Sequence, residues 1–237
     1  MKIIFIRHAE PNYELDTLTE KGWREAELLS ERVKKWDVKD FYCSPLGRAQ
    51  DTASLSLKKM NRTATTYEWL KEFYYPVHDP VTNKFSTPWD FMPEFFTYEE
   101  TLYDRKKWYT ADVFKENKEL IPAYKEVCQK FDELLAGYGY VRKDDYYEVK
   151  EHSDDTIVIF CHLGVSMLIM GYLCGISPSI LWQSFFMAPS SVTVLCSEER
   201  IMPKAFFRCQ VLGDTTHLHD GGEPISQAGY FTEPFQG

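Results

Sequence analysis

Short, unbroken apolar runs alternate with amphipathic segments along the chain. Residues 3–6 and 156–161 are almost wholly apolar, which is typical of strands buried on both faces. Residues 18–36 instead repeat apolar side chains at helical spacing, and Thr19 can cap the first turn of that helix. Strands that alternate with helices predict an α/β fold, with a central sheet covered by helices.

The same alternation continues to the end of the chain. We predict further strands at 40–43, 63–67, 191–196 and 205–212, the last two joined by a charged turn at 198–200. Helices are predicted from Ser44-Pro45 to about residue 60, over 116–137 and over 164–174. The pattern indicates a three-layer sandwich around a mostly parallel sheet. With no repeat or linker, residues 1–237 form one predicted domain.

One region departs from this alternation. Residues 73–109 contain 12 aromatic side chains in 37 positions, against 16% in the whole chain, and prolines at 76, 80, 88 and 93 interrupt it. Prolines at this density disfavour long regular elements. We therefore predict an insertion, about 73–115, that lies over the active site as a lid or pocket wall. A satellite hydrophobic cluster packed on the main core is the alternative.

Composition excludes several classes of protein. The net charge of −9 offers no basic surface for nucleic acid, and no apolar run reaches the roughly twenty residues of a membrane span. The first six residues are too short for the apolar region of a signal peptide, so a cytoplasmic location is expected. The six cysteines form no CxxC pair, and we interpret them as free thiols.

Residues suited to phosphate follow three of the predicted strands. Arg7 and His8 follow the first strand, His162 follows the strand at 156–161, and Arg48 lies in the first turn of the helix after 40–43. Ligands of open α/β sheets bind at the carboxyl ends of the strands. Two arginines there could hold one tetrahedral anion, together with backbone N–H groups of helix N-termini.

These residues stand in motifs that resemble those of a known family. The sequence has RHAE at 7–10, LTEKG at 18–22, SPLGRAQDTA at 44–53 and a histidine at 162 after an apolar strand. In this order the motifs resemble the histidine phosphatase superfamily, the phosphoglycerate-mutase-like family named for its RHG motif. The resemblance covers roughly residues 1–72 and 155–218.

The resemblance implies a set of roles. His8 would be the nucleophile that forms a phosphohistidine, and Arg7, Arg48 and His162 would hold the phosphate oxygens during catalysis. The family's general acid follows a leucine-x-glutamate pattern, which Glu72 matches. Carboxylates of the insertion are the alternatives for this acid, namely Asp79, Asp90 and Glu94.

Two positions depart from the family pattern. Ala9 stands where the usual glycine follows the first histidine, and Leu163 where one follows the second, with Gly164 one place later. Leu163 either narrows the approach to the phosphate or faces the core. The predicted substrate pocket is formed by Phe73, Tyr74, Trp89, Phe91 and Leu163.

We therefore predict a metal-independent phosphatase that hydrolyses a small phosphomonoester and needs no cofactor. One alternative is a phosphoglycerate mutase-type phosphotransferase, although aromatic rather than basic residues follow Glu72. Another is a catalytically silent relative that binds a phosphorylated ligand or a partner protein. His217 and His219 share a face if they lie on a strand, but they make a weak metal site. Nucleic acid and membrane partners are not expected, and a homodimer is possible.

Overall fold

A computed structural model describes residues 1–236 and has a mixed eight-stranded sheet at its centre. The order of the strands across this sheet is β5-β4-β10-β1-β11-β12-β9-β8, and two further pairs, β2-β3 and β6-β7, lie outside it. The strands are β1 (Lys2–Arg7), β2 (Pro11–Asn12), β3 (Thr17–Leu18), β4 (Asp40–Cys43), β5 (Thr65–Thr66), β6 (Val77–His78), β7 (Phe85–Ser86), β8 (Tyr140–Lys143), β9 (Tyr146–Val149), β10 (Thr156–Cys161), β11 (Val192–Ile201) and β12 (Lys204–Asp214).

The helices cover both faces of the sheet. They are α1 (Glu20–Val33), α2 (Gly47–Met60), α3 (Pro93–Phe96), α4 (Leu120–Ala136), α5 (Leu163–Cys174), α6 (Pro178–Ser184) and α7 (Thr216–Asp220). Short 3-10 turns lie at Glu68–Leu70, Glu100–Tyr103, Trp108–Thr110 and Asp112–Glu116. None of the helices described is both long and apolar enough to cross a lipid bilayer.

Alternate residues of the central strands face two separate hydrophobic cores. Ile4 and Ile6 of β1 pack with Leu29 of α1, whereas Ile3 and Phe5 belong to the larger core on the other face. Successive strand side chains point to opposite faces of a sheet, so both faces of β1 are covered by helices. The predicted three-layer α/β fold is therefore confirmed.

The strands at the site are parallel, and the rest of the sheet is antiparallel. β10 pairs in parallel with both β1 and β4, and β4 pairs in parallel with β5. β11, β12, β9 and β8 continue the sheet from β1 as antiparallel neighbours. The carboxyl ends of β1, β4 and β10 consequently meet at one edge, where residues 7–8, 44 and 162 lie.

Several predicted boundaries are corrected by the structure. Helix α2 begins at Gly47 rather than at Ser44-Pro45, because residues 44–46 form the loop that leaves β4. α4 begins at Leu120, since residues up to 116 form a 3-10 turn. The turn after β11 lies at Met202-Pro203, beyond the charged residues 198–200, which continue the strand. The hairpin of β8 and β9 carries no strong apolar alternation, and the sequence analysis missed it.

The aromatic insertion is largely part of the main core. Leu102, Trp108 and Phe114 are fully buried, and the Trp108 ring lies 5.0 Å from that of Tyr124 on α4 and 5.2 Å from that of Trp182 on α6. The interpretation as a hydrophobic cluster therefore fits these residues. The short elements within the insertion follow from its prolines, each of which removes a backbone donor.

Candidate active site

His8 follows β1 directly, and the backbone holds its imidazole in one orientation. The His8 N–H donates to the carbonyl of Cys161 on β10 (3.0 Å), and the His8 carbonyl accepts from the Ser190 N–H (3.1 Å). The ring atom Nδ1 lies 2.8 Å from the carbonyl oxygen of Ala9. A carbonyl can only accept, so Nδ1 carries the proton and Nε2 has the lone pair. Nε2 makes no hydrogen bond to any residue of the described chain.

Arg7 and Arg48 flank this histidine. The Arg7 Nη1 atom donates to the Met187 carbonyl (2.5 Å), and the Arg48 Nη1 atom pairs with the Asp16 carboxylate (2.5 Å). In both guanidinium groups the Nε atom is buried and has no partner among residues 1–236. A buried donor without a partner is costly, so both arginines retain donors for a bound anion.

Asp16 fixes the position of Arg48 through the start of α2. Its Oδ2 atom accepts from the Gly47 N–H (2.7 Å), and a Cβ on Gly47 would come within 2.0 Å of the Asp16 carbonyl oxygen. Only glycine therefore fits at position 47. The sequence analysis did not single out Asp16, although it lies only eight residues after His8.

His162 stands between β10 and α5, and Ser44 orients its ring. The His162 Nε2 atom lies 2.7 Å from the Ser44 Oγ atom. That oxygen accepts from the Leu46 N–H (3.2 Å) and keeps a second lone pair as well as its proton, so it can either accept from Nε2 or donate to it. When Ser44 donates, Nδ1 of His162 carries the ring proton, and this nitrogen is buried without a partner among the described residues. Its ring centroid is 5.1 Å from that of His8, close enough for both to contact one phosphate.

Glu72 reaches the same site from the loop after β5. Its Oε1 atom accepts from the N–H groups of Phe73 (2.8 Å) and Val165 (3.2 Å). A Cβ on Gly164 would lie only 2.7 Å from Oε1 and 2.5 Å from the ring of Trp89. The absence of a side chain at 164 is thus what lets Glu72 and Trp89 approach the start of α5.

The electrostatic environment moves the pKa values of these groups in useful directions. Burial lowers the pKa of His8 well below its ordinary value, and Arg7 lowers it further. Burial also lowers the pKa of His162, with His8 and the two arginines adding to the effect. Burial raises the pKa of Glu72, against the opposing effects of the Phe73 N–H and Arg7. These shifts favour neutral histidines and increase the protonated fraction of Glu72 at any given pH.

A cavity of about 830 Å³ opens above these residues. Arg7, Arg48 and Glu72 lie in its lining, while His8 and His162 are 2% and 0% exposed. Eight of its twenty lining residues are aromatic: Tyr13, Tyr74, Trp89, Trp182, Phe185, Phe186, Tyr230 and Phe231. That fraction far exceeds the 16% aromatic content of the whole chain. The cavity wall is therefore rich in aromatic surface, next to the cationic side chains of Arg7 and Arg48.

The structure brings together some of the predicted pocket residues and separates others. Tyr74, Trp89 and Leu163 line the cavity. Phe73 does not, because it is 2% exposed and its ring lies 4.7 Å from that of Tyr75 in the core. Phe91 is likewise buried among other rings of the insertion. These two aromatics belong to the core, and including them in the pocket was wrong.

The alternative acids of the insertion are also separated by the structure. Asp79 is buried and accepts the backbone N–H groups of Val81, Thr82 and Met92, so it fixes a turn. Glu94 is exposed on α3 and does not line the cavity. Asp90 lines the cavity and accepts from the Thr87 hydroxyl (2.9 Å). Of the three, only Asp90 lies where it can contact a substrate.

Ala9 and Leu163, which stand where the family pattern has glycine, have different environments. The side chain of Ala9 packs into a small apolar cluster with Leu18 and Ala26. Leu163 is 6% exposed and lies in the cavity lining. The extra methyl of Ala9 therefore fits among neighbours of the core, whereas Leu163 adds apolar surface beside the site.

Part of the cavity wall comes from segments that the sequence analysis missed. Phe186 places its ring 5.1 Å from the guanidinium carbon of Arg7, and Tyr230 packs against that ring (3.9 Å between centroids). The C-terminal segment bearing Tyr230 is tied to α1 by Glu223, which pairs with Lys21 (2.5 Å) and Arg24 (3.0 Å). No local pattern marks these residues, because they reach the site only through tertiary packing.

The pair His217 and His219 lies on α7, not on a strand. His217 is buried, with Nε2 3.1 Å from the Ser190 Oγ atom, whereas His219 is exposed. Burial lowers the pKa of His217 to about 4. Within residues 1–236, no three His, Cys, Asp or Glu side chains cluster as metal ligands.

Comparison with known sequences covers the N-terminal part of this site. The sequence model of the histidine phosphatase superfamily (branch 1) matches residues 3–87, which include Arg7, His8, Arg48 and Glu72. A 2,3-bisphosphoglycerate-dependent phosphoglycerate mutase of Thermoplasma acidophilum is 41% identical over 83 residues. That alignment covers 30% of this chain and only 42% of the mutase.

Comparison with solved structures extends over nearly the whole chain. A phosphoserine phosphatase from Entamoeba histolytica has a TM-score of 0.60 at 20% identity, covering 92% of this chain and 98% of its own. A mycobacterial glucosyl-3-phosphoglycerate phosphatase has a TM-score of 0.60 at 17% identity, covering 90% and 98%. The alpha-ribazole phosphatase from Shigella flexneri scores 0.56 at 17% identity, covering 91% and 97%. At such low identities these likenesses show a shared fold, and the superfamily's sequence model matches only residues 3–87 of this chain.

Proposed function

We propose that this protein is a phosphoryl-transfer enzyme that hydrolyses phosphomonoesters through a phosphohistidine on His8, without a metal ion. The observation that carries the proposal is the state of the His8 ring. Its Nδ1–H is held by the Ala9 carbonyl, its pKa is lowered by burial and by the nearby cations Arg7 and Arg48, and Nε2 keeps a lone pair. A neutral, oriented imidazole beside two cations suits attack on a phosphate monoester.

In the first step, the lone pair of His8 Nε2 forms an N–P bond while the ester P–O bond breaks. Arg7, Arg48 and the Nδ1–H of His162 hold the phosphate oxygens, so charge that shifts during transfer stays neutralised. Protonated Glu72 gives its proton to the departing oxygen, and an alcohol leaves. The raised pKa of Glu72 favours the protonated form that this step requires.

In the second step, water attacks the phosphorus of phosphohistidine. The Glu72 carboxylate takes the water proton, the N–P bond breaks, and its electron pair returns to Nε2. Inorganic phosphate leaves, and both groups regain their starting protonation states. One carboxyl thus serves as acid and then as base, which is consistent with its fixed position on the N–H groups of Phe73 and Val165.

A phosphoglycerate mutase is the second candidate, because the mutase of Thermoplasma acidophilum matches the N-terminal region. Such a mutase must hold a substrate carboxylate as well as the phosphate. Besides Arg7 and Arg48, the cavity lining has one cation, Lys71, which is half exposed and pairs with Glu68 (2.5 Å). This lining favours hydrolysis over the mutase reaction.

The test is phosphate release in EDTA from an aryl phosphate, sugar phosphates, nucleotides and 3-phosphoglycerate. We expect chelator-resistant turnover in wild type and in the control His219→Ala, with loss on the order of 10³-fold or more in His8→Ala. An acid-labile phosphoenzyme formed from labelled substrate should be absent in His8→Ala.

Other outcomes would decide against this proposal. Interconversion of 2- and 3-phosphoglycerate faster than phosphate release would establish the mutase. Binding of vanadate without turnover of any ester would establish a silent phospholigand-binding protein. Turnover that EDTA abolishes would contradict the metal-independent route.

A further inference from the structure

Three aromatic rings surround the position that a bound phosphate would occupy. Phe186 lies 5.1 Å from the guanidinium carbon of Arg7, and Tyr13 lies 5.5 Å from that of Arg48. The Trp89 ring and the Glu72 carboxyl both crowd the space above Gly164. Aromatic rings therefore lie beside both arginines and beside Glu72.

The position of Trp89 bears directly on the leaving group. Glu72 must contact the departing oxygen in order to protonate it. Trp89 shares the space above Gly164 with Glu72, so the departing oxygen and its first carbon lie beside Trp89. That neighbour is an indole, which offers a flat apolar face and no acceptor for a hydroxyl. A leaving group with hydroxyl or carboxylate groups next to its ester oxygen would lose hydration there without replacement.

Besides Arg7, Arg48 and Glu72, the lining has six polar residues, namely Lys71, Thr87, Asp90, Gln183, Ser184 and Thr232, and the side chains of four of them already have partners. Lys71 is engaged by Glu68, Thr87 by Asp90, and Gln183 donates to the Pro88 carbonyl (3.2 Å). A volume of about 830 Å³ accommodates a ligand well beyond phosphate in size, within the usual range of small-molecule sites. Space and apolar area are therefore both available for a ring.

We propose that the preferred substrates are monophosphate esters whose leaving group carries a planar aromatic ring within one or two atoms of the ester oxygen, held against Trp89. This inference rests on the proposed function and specifies its substrate class. Flat rings stack well on aromatic side chains, and the stacking adds to the area that they bury.

The first experiment measures binding separately from turnover. Phenylphosphonate and methylphosphonate carry the same type of anion, but only the first has a ring, and neither can be hydrolysed at an ester bond. We expect phenylphosphonate to bind about tenfold more tightly to the wild type in calorimetry. Trp89→Leu should remove most of that ratio, Trp89→Phe should keep much of it, and the exposed Trp23→Leu should leave it unchanged.

The second experiment uses turnover with leaving groups of similar basicity. Benzyl phosphate should exceed cyclohexylmethyl phosphate in kcat/KM by about tenfold, and the ratio should fall in Trp89→Leu. Equal values for both esters and both phosphonates would overturn the substrate class while leaving the phosphatase intact. No turnover of any ester, with the phosphonate preference retained, would overturn the hydrolytic function and keep the ligand class.

Discussion

Gly164 is the residue on which the proposed acid depends most directly. The position lies at the start of α5, where a Cβ would meet the Glu72 carboxylate at 2.7 Å and the Trp89 ring at 2.5 Å. Both distances are below any normal contact, so both neighbours must shift when a side chain is added. Leu163, one position earlier, carries a side chain that lies in the cavity lining.

We expect Gly164→Ala to lower kcat by about 10²- to 10⁴-fold for alkyl phosphates, the usual contribution of a general acid. The added methyl displaces Glu72 from the departing oxygen. 4-Nitrophenyl phosphate should lose much less, since its leaving group departs without a proton. Gly137→Ala is the control, because its Cβ would meet one carbonyl at 3.2 Å far from the site. Equal losses for both substrates would show that the substitution displaces something other than the acid.

The pH profile follows from the environments of His8 and Glu72. The reaction needs neutral His8, so kcat/KM should rise as pH increases through its pKa, which lies well below 6.5. The reaction also needs protonated Glu72, so kcat/KM should fall as pH increases through its pKa, which lies above 4.5. We expect an optimum between these two pKa values with alkyl phosphates. With 4-nitrophenyl phosphate, whose leaving group needs no proton, the alkaline fall should be absent in the wild type, and its presence there would point to a titrating group other than Glu72.

At the scale of the elements, the loop that leaves β4 contacts His162, although its sequence is typical of the start of a helix. Ser44-Pro45 has the pattern of a helix start, yet α2 begins at Gly47. The Ser44 hydroxyl instead bonds to His162 Nε2 at 2.7 Å. The parallel pairing of β4 with β10 creates this contact, because it places the residues after both strands side by side.

Ser44→Ala is expected to lower kcat by about 10- to 100-fold, typical for the loss of a group that orients a functional histidine. His162 could then change tautomer, which ¹⁵N NMR of the imidazole would detect as a shift of the proton from Nδ1 to Nε2. Ser44→Thr should restore both the rate and the spectrum, and the exposed Ser54→Ala serves as the control. A slower enzyme with an unchanged His162 spectrum would contradict the orienting role.

The sequence predicts some elements more accurately than others, because only some of them have a local pattern of apolar residues. β4 and β10 are predicted to the residue, because runs buried on both faces need no further context. The residues after the strands, such as His8 and His162, follow from the same topology. By contrast, whether an aromatic side chain faces core or cavity is decided by packing: Phe73 is buried, whereas adjacent Tyr74 is 61% exposed. Phe186 and Tyr230 join the site across long separations that no local pattern reveals.

At the scale of the whole molecule, the aromatic insertion joins the helical layer to the cavity. Trp108 is completely buried against Tyr124 of α4 and Trp182 of α6. Trp182 also lines the cavity and donates from its indole N–H to the Gly164 carbonyl (2.9 Å). One ring cluster therefore supports both the core and the wall of the site.

Trp108→Ala should consequently destabilise the whole protein by about 3–5 kcal/mol, the usual cost of truncating a buried tryptophan. Urea unfolding followed by circular dichroism and by fluorescence measures this change in the free energy of unfolding. Tyr98→Ala, at a residue that is 83% exposed, should change it by no more than about 0.5 kcal/mol. A variant with normal stability but altered KM would show instead that the insertion behaves as a separate lid.

The position of β10 in the sheet has a consequence for how the chain folds. β1 and β4 do not touch: β10, more than a hundred residues later in the sequence, lies between them and pairs with both. The segment that the superfamily's sequence model matches, residues 3–87, therefore holds three strands of the central sheet, β1, β4 and β5, without the strand that joins β1 to β4. Before β10 can pair with β1 and β4, the chain must close this long loop, and the entropic cost of closure comes before the stabilisation by strand pairing. We therefore expect slow folding, in which residues 3–87 become structured only after residues 156–161 have joined the sheet.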